Sequence, residues 1–383
     1  VSGASTMADE QTAEFSLIDS LSEIAPDAWQ ALAGDQPMLS HAFLHALHDS
    51  GCASEATGWA PRYLIMRRAG HLVGAMPLYL KSHSRGEYVF DHGWAQAFER
   101  NGLPYYPKLL GAIPFTPVTG PRLLVRDAAD RPLLAQAAIA LARQLDTSSL
   151  HILFPCEEDR AALSAAGFML REGVQFHWEN AGYADFEAFL ASLKMAKRKK
   201  LRQDQRRVAQ AGIHYQHLRG HAISADMLAF FYRCYVGTYR AHYSRPYLTL
   251  DFFQRLLSAR PDSLLLIIAL RGEQPVAAAL NLIGGDIMYG RYWGTEEYLS
   301  GLHFETCYMQ SIAYCIAHGL SRFEGGAQGE HKISRGLVPT PTWSAHWIAD
   351  ARFADAIADF LARETDAINH YLDELGEHSP YRS

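Results

Sequence analysis

The chain has 383 residues, 49% apolar and 20% charged, with 35 Lys and Arg against 41 Asp and Glu for a formal net charge of −6. That length favours two or three domains over one, and the apolar share excludes disordered and fibrous classes. The longest apolar run, 264–270, is far too short to cross a bilayer, and the acidic balance speaks against a general nucleic-acid coat while leaving room for a local basic patch.

Residues 1–14 read as a tag and disordered N-terminus, with Met7 as the natural start and no basic and apolar leader after it. The five cysteines form no C-x-x-C pair, which predicts free thiols and a cytoplasmic protein without membrane insertion. Residues 15–20 read as a strand, 26–32 and 40–49 as helices, and 62–68 and 72–82 as strands joined at Ala69-Gly70. Residues 93–121 are dense in Gly and Pro and read as one long, ordered, aromatic loop. A helix (132–145), a buried strand (151–154), a helix (157–166) and a strand (168–178) follow.

The second half opens with a helical stretch, 185–211, broken near Ser192 and stopped by Gly212. A strand (213–218), helices at 224–239 and 250–259, and strands at 264–270, 276–283 and 286–293 come next. The pattern then predicts a helix (303–318), a short strand (322–324), a short helix (330–335), a strand (342–348) and a closing helix (353–375). LIMRRAGHLVGAMPLYL (64–80) aligns with LIIALRGEQPVAAALNL (266–282), placing Gly70 on Gly272 at a hairpin turn. Element order repeats around both hairpins, a tandem duplication. The expected domains are 15–181 and 182–350, with 351–383 a C-terminal helix and tail.

Three stretches carry candidate chemistry. In RFEGGAQGEHKISRGLVPTPTWSAHW (322–347), Gly325, Gly326 and Gly329 free the backbone ahead of a short helix. Glu324 or His331 suits a general base. Lys332 and Arg335 suit a carboxylate or phosphate, and Gln328 and His346 complete the candidate substrate site. In 90–124, Trp94, Tyr105, Tyr106 and Lys108 suit a substrate wall. In 194–207, eight Lys or Arg against one Asp suit a polyanion, with Lys197, Lys200 and Arg207 as contacts. GGAQGEHK lacks the spacing of a Walker loop, and His331 has no histidine four residues on, so no zinc helix is written. The histidines at 41, 45 and 48 share a helix face without a second ligand segment, and those at 214 and 217 sit at odd spacing on a strand. No metal or other cofactor is predicted.

On these residues the chain resembles the FemAB-like family of N-acyltransferases, labelled peptidoglycan biosynthesis or recognition proteins. The likeness covers most of 15–350 and is most specific in YYPKLLGAIPFTPVTGPRLL (105–124) and FEGGAQGEHKISRGLVPTPTWSAHW (323–347). It implies an α/β (α+β) fold of two tandem GNAT-like domains, each a mixed central sheet flanked by helices. It implies transfer of an acyl or aminoacyl group to an amine, with a small-molecule or peptide acceptor such as a cell-wall precursor. The donor would be acyl-CoA or an aminoacyl-tRNA, the latter held by the basic helix. Where acyl-CoA enzymes of that fold carry R/Q-x-x-G-x-G/A, this chain reads GTEEYLSGLHF (294–304), and 185–211 has no room for the helical-hairpin arm of some Fem ligases. The other reading is a non-catalytic module of the same fold that recognises a peptide or polyanion.

Overall fold

The computed structural model describes residues 12–327, 329–377 and 379–382. Of the expected N-terminal tag, residues 1–11 lie outside that range, and Glu14 already opens β1 (Glu14–Ile18). The chain divides into two compact units, Val1–Gly173 with Thr342–Asn369 and Val174–Pro341 with His370–Ser383.

In the first unit, β1 pairs with β3 (Tyr63–Arg68), and β3 forms a hairpin with β4 (His71–Met76). β5 (Leu78–Lys81) pairs antiparallel with β6 (Lys108–Gly111). β6 runs parallel to β8 (Ser149–Leu153), which pairs antiparallel with the 344–348 part of β15 (Val338–Ile348). Helix α4 (Arg131–Gln144) contributes Leu134, Ala138 and Ile139 to the core under Leu64, Leu109 and Ile152.

The second unit repeats the scheme. β10 (Ile213–Arg219), β11 (Leu264–Arg271), β12 (Gln274–Gly284) and β13 (Ile287–Thr295) form an antiparallel run. β13 runs parallel to β14 (Arg322–Glu324), and β14 pairs antiparallel with β9 (Met169–Glu179). β11 is apolar at nearly every position because both its faces are covered. Helices α6 (Phe186–Ser192), α8 (Ala225–Ala241) and α9 (Leu250–Ala259) each start at a side chain, Asp185, Ser224 or Thr249, that accepts from a first-turn N–H. The core joins Phe176, Trp178, Phe189, Ile267 and Phe323.

The antiparallel, parallel, antiparallel sequence of pairings is thus the same in both units, as tandem GNAT-like domains require. Three expectations change. The two hairpin glycines are not equivalent. Ala69 and Gly70 both have positive φ (47° and 77°), as a type I′ turn needs, whereas in Gly272-Glu273 only the first does (58°), as in type II′. The register shifts fall between Met66 and Arg67 and between Ala269 and Leu270, so bulge lies on bulge one residue off the glycine alignment. The boundary expected at 181/182 lies at 173/174, and 351–383 is no separate tail. Residues 342–348 complete the first unit's sheet and 174–179 the second's, so the terminal strands are exchanged, and the long helix α12 (Ala351–Glu377) follows β15. The predicted loop 93–121 contains α3 (His92–Arg100) and β6, because Trp94 and Phe98, four apart, bury one face against Ile348 and Ile357.

Candidate active site

In the second unit β13 and β14 stay paired only from Ile287 to Tyr289, opposite Arg322 to Glu324. β14 then ends at two glycines while β13 continues. Against β12, Asn281 faces Gly290 and Leu280 faces Tyr292, leaving Arg291 as an inserted residue. Such a bulge turns backbone groups out of the ladder. A cavity of about 100 Å3 opens here, with Asn281, Gly290, Arg291, Tyr292 and Trp293 on one side and Phe323 and Gly325 on another. Its helical wall is a π-helical stretch, Glu305–Met309, between α10 (Leu302–Phe304) and α11 (Gln310–Ala317). That irregular turn, of a kind frequent at functional sites, supplies Cys307 and Tyr308 beside His303.

The glycine-rich segment adjoins the cavity through Gly325. Lys332 is 2% exposed and donates from Nζ to the Gly326 carbonyl at 2.7 Å. Arg335 is 5% exposed, lies 3.5 Å from the Phe304 ring centroid and donates to the His331 carbonyl, and its Nε has no partner. Among the described residues neither cation has a carboxylate partner. Burial lowers Lys332 to about 8 and also lowers Arg335. His331 packs by Phe304 and Tyr308, and burial together with the two cations lowers its pKa. His303, against Trp293, is lowered to about 4, mainly by burial. Both imidazoles are therefore uncharged at neutral pH. Gly329 precedes the 3-10 turn Glu330–Arg335 with φ of 118°, and Gln328 lies outside the described residues.

Glu324, expected as a base, is turned away from the cavity. Strand alternation sends Phe323 and Gly325 to the cavity side. The Glu324 carboxylate instead lies with His177, its cross-strand neighbour, at 4.0 Å, and with Arg322 at 3.9 Å. Burial raises Glu324 to about 7 and lowers His177 to about 3. A raised carboxyl pKa contributes stability that is complete below the unfolded value near 4.5 and is lost as pH rises through 7. Glu324→Gln should therefore gain stability relative to wild type between pH 4.5 and 8, by on the order of 3 kcal/mol. Urea unfolding of both proteins at the two pH values measures it, and an unchanged difference would mean that the carboxyl is solvated. His177 works in the opposite sense, losing its contribution as pH falls from 6.5 towards 3.

Of the candidate wall of the first unit, Trp94 lines a cavity with Phe90, Gly93, Ala97 and Arg171, whereas Tyr105 and Lys108 are buried within the fold. Lys108 is fully buried and donates to Ser84 (2.8 Å), Glu87 (2.7 Å) and Asp91. Tyr105 donates to Asp91 at 2.7 Å, so its oxygen accepts from His151 Nε2 at 3.0 Å. His151 Nδ1 then accepts from His346 Nδ1 at 2.8 Å, and Ser344 donates to His346 Nε2 at 2.8 Å. Burial lowers His151 to about 3, keeping it neutral as this chain of donors needs. Trp94 caps the group edge-on to His346, and Tyr106, half-buried, shares Ser84 with Lys108. These residues are an internal polar core. His346 belongs to it and not to the 324–335 segment, because β15 carries it into the first unit.

Helix α7 (Met195–Gln210) buries Leu201 and Val208 and presents its charge outward. Lys200 and Arg207 are exposed and Lys197 is half-buried. Arg207 is held by Asp204 at 3.6 Å and Ser300 at 3.1 Å.

Sequence reasoning missed Asn281, Arg291, His303 and Cys307. The spacing of His303 and Cys307, four apart on a helix, was a visible signal. The bulge at Arg291 had none, because it exists only in the register of β12 against β13.

The repeated pairing scheme defines a protein of two tandem GNAT-like domains. The FemAB-like family, described as peptidoglycan biosynthesis/recognition, matches residues 20–383, and the chain belongs to it. Solved structures of similar fold include FemX, at 13% identity and a TM-score of 0.54 over 90% of this chain and 100% of that one. L-PGS from Bacillus licheniformis matches at 11% and 0.56, over 92% and 98%. The C-terminal domain of a putative lysylphosphatidylglycerol synthetase from Agrobacterium fabrum matches at 11% and 0.55, over 88% and 94%. At such identities the likeness is one of fold. No curated protein matches the sequence. Among the described residues no helix is long and apolar enough to cross a membrane.

Proposed function

We propose that the second-unit cavity transfers an acyl group to an amine, with a cell-wall peptide precursor as the acceptor class. One observation carries this reading: Lys332 and Arg335, on the segment that adjoins the cavity through Gly325, are buried with no carboxylate in salt-bridge contact among the described residues. Burying an unpaired cation costs several kcal/mol unless an anion joins it, so the site suits the anionic part of a donor. His303 or His331 would take the proton of the attacking ammonium. Glu324 is left out of the chemistry by its placement.

An aminoacyl- or acyl-RNA donor fits better than acyl-CoA. The turn after β13, where a diphosphate would sit, instead carries Glu296 and Glu297, paired with Arg233 and Arg271. Helix α7 offers an RNA the cations Lys197, Lys199, Lys200 and Arg206, which have no acidic partner among the described residues. RNA binding should weaken with salt, each phosphate contact adding about 0.7–0.9 to the log–log slope. Lys200→Ala with Arg206→Ala should flatten that slope, whereas Arg207→Ala, already paired, should change it least. Absence of RNA binding at low salt would remove this donor.

The function itself is tested by mass spectrometry of an amine-bearing cell-wall peptide incubated with the protein and acyl-RNA or acyl-CoA donors. Acylated peptide formed by wild type, and not by the Lys332→Met, Arg335→Met pair, is the expected result. Saturable peptide binding without any product would leave a binding module instead.

A further inference from the structure

On the reading that an RNA-borne donor serves the second-unit cavity, the turn after β13 bears on which part of that RNA is held. Residues 296–301 connect the end of β13 to α10. Trp293, near the end of β13, and His303, in α10, both line the cavity, and their rings stand 4.9 Å apart. The turn therefore joins two of the cavity's walls. In its middle Tyr298 is 94% exposed. The residues on either side of it are fixed. The Glu297 N–H donates to Thr295 Oγ1 at 3.2 Å, and Leu299 packs with Val208 and Leu302. Ser300 accepts from Arg207 at 3.1 Å, and Gly301, at a φ of 92°, turns against Asp204 and Val208 of α7. An ordered turn thus holds a bare aromatic ring in solvent, and a ligand that stacks on it has little ordering left to oppose it.

The charges around the ring decide what would stack there. Lys200 lies seven residues before Arg207, hence on the same flank of α7 and about 10 Å along its axis. It is exposed and has no acidic partner among the described residues. The two acidic residues of the turn are already paired, Glu296 with Arg233 at 3.1 Å and Glu297 with Arg271 at 2.5 Å. An open ring beside an unpaired lysine is the combination that holds single-stranded nucleic acid, with a base on the ring and phosphates along the cations. A duplex keeps its bases stacked on one another and would leave the ring unused. We propose that Tyr298 is a stacking platform for an unpaired base at the acyl-bearing end of the donor RNA, with Lys200 on its backbone. The protein then selects a single-stranded RNA end over a duplex.

The probes are a labelled single-stranded oligoadenylate and a blunt-ended RNA duplex of equal charge, titrated with the full chain by fluorescence anisotropy at several salt concentrations. The single strand should bind more tightly than the duplex. Tyr298→Ala should weaken the single strand about tenfold and leave the salt slope unchanged, because stacking releases no counterions. Tyr298→Phe, which keeps the ring, should bind as wild type does. Lys200→Ala should instead lower the slope by about 0.7. Tyr243, also fully exposed but on the turn after α8, is the control, and Tyr243→Ala should change nothing. Single-strand binding untouched by Tyr298→Ala, lost equally in Tyr243→Ala, or matched by the duplex overturns the platform while leaving RNA as the donor's carrier. Absence of binding by either probe at low salt overturns the platform and the RNA-borne donor together.

Discussion

Replacing Lys332 by methionine should lower acyl transfer by roughly a hundredfold or more, the scale for losing one well-placed electrostatic group, while making the protein more stable. The two effects have one cause. Lys332 is 2% exposed, has a carbonyl as its one hydrogen-bond partner among the described residues and is lowered to about 8 by burial. Its charge is a penalty to the fold until an anion arrives. A methionine of similar length removes that penalty, for a gain of about 2 kcal/mol below pH 8. The sign follows from linkage: a lysine with a depressed pKa destabilises while charged, so the gain shrinks as pH rises through 8 towards 10.5. Thermal unfolding and turnover of the same preparation test both halves. A loss of stability in Lys332→Met would mean that the ammonium is satisfied by the fold and has no ligand role.

Replacing Lys108 by methionine should do the reverse. Glu87 and Asp91 both accept from that ammonium in a fully buried setting, Glu87 lying also 3.9 Å from Lys81 Nζ. Burial pulls against ionised Asp91, but Lys108 beside it holds its carboxyl well below the usual range, and burial raises Glu87 to about 7. Breaking a buried pair from one side leaves an uncompensated charge, at a cost of about 3–5 kcal/mol. A fall in melting temperature of roughly 10 °C is expected. A residue on a substrate wall would instead weaken binding at unchanged stability, so a melting temperature within about 2 °C of wild type would restore that role.

Turn chemistry and periodicity specify most of this chain locally. The strand at 264–270, the break near Ser192, the stop at Gly212 and the paired hairpins are readable because each is decided by residues a few positions apart. Trp94 and Phe98, four apart, form a helix stripe, but the glycines and prolines around them read as loop. The family likeness rested on the same local motifs, and the match over 20–383 agrees with it.

The candidate site is different in kind. The segment 324–335 was visible as dense Gly, acid, base and His, but which side chains turn inward was not. Glu324 faces away because it sits between Phe323 and Gly325 on a strand whose alternation is set by pairing with β9, a segment about 150 residues earlier. His346 leaves the site for the same reason, since β15 pairs with β8 in the other unit. Asn281 and His303 reach the cavity only because the β12–β13 register inserts Arg291 and the helix takes a π turn. By itself the sequence determined the elements, their order and the duplication, which rest on short-range backbone preference and side-chain period. Only the tertiary structure decided register, facing and partnership. Those depend on strands distant in the chain, and on whether a buried charge such as Lys108 finds its counter-charge within the fold.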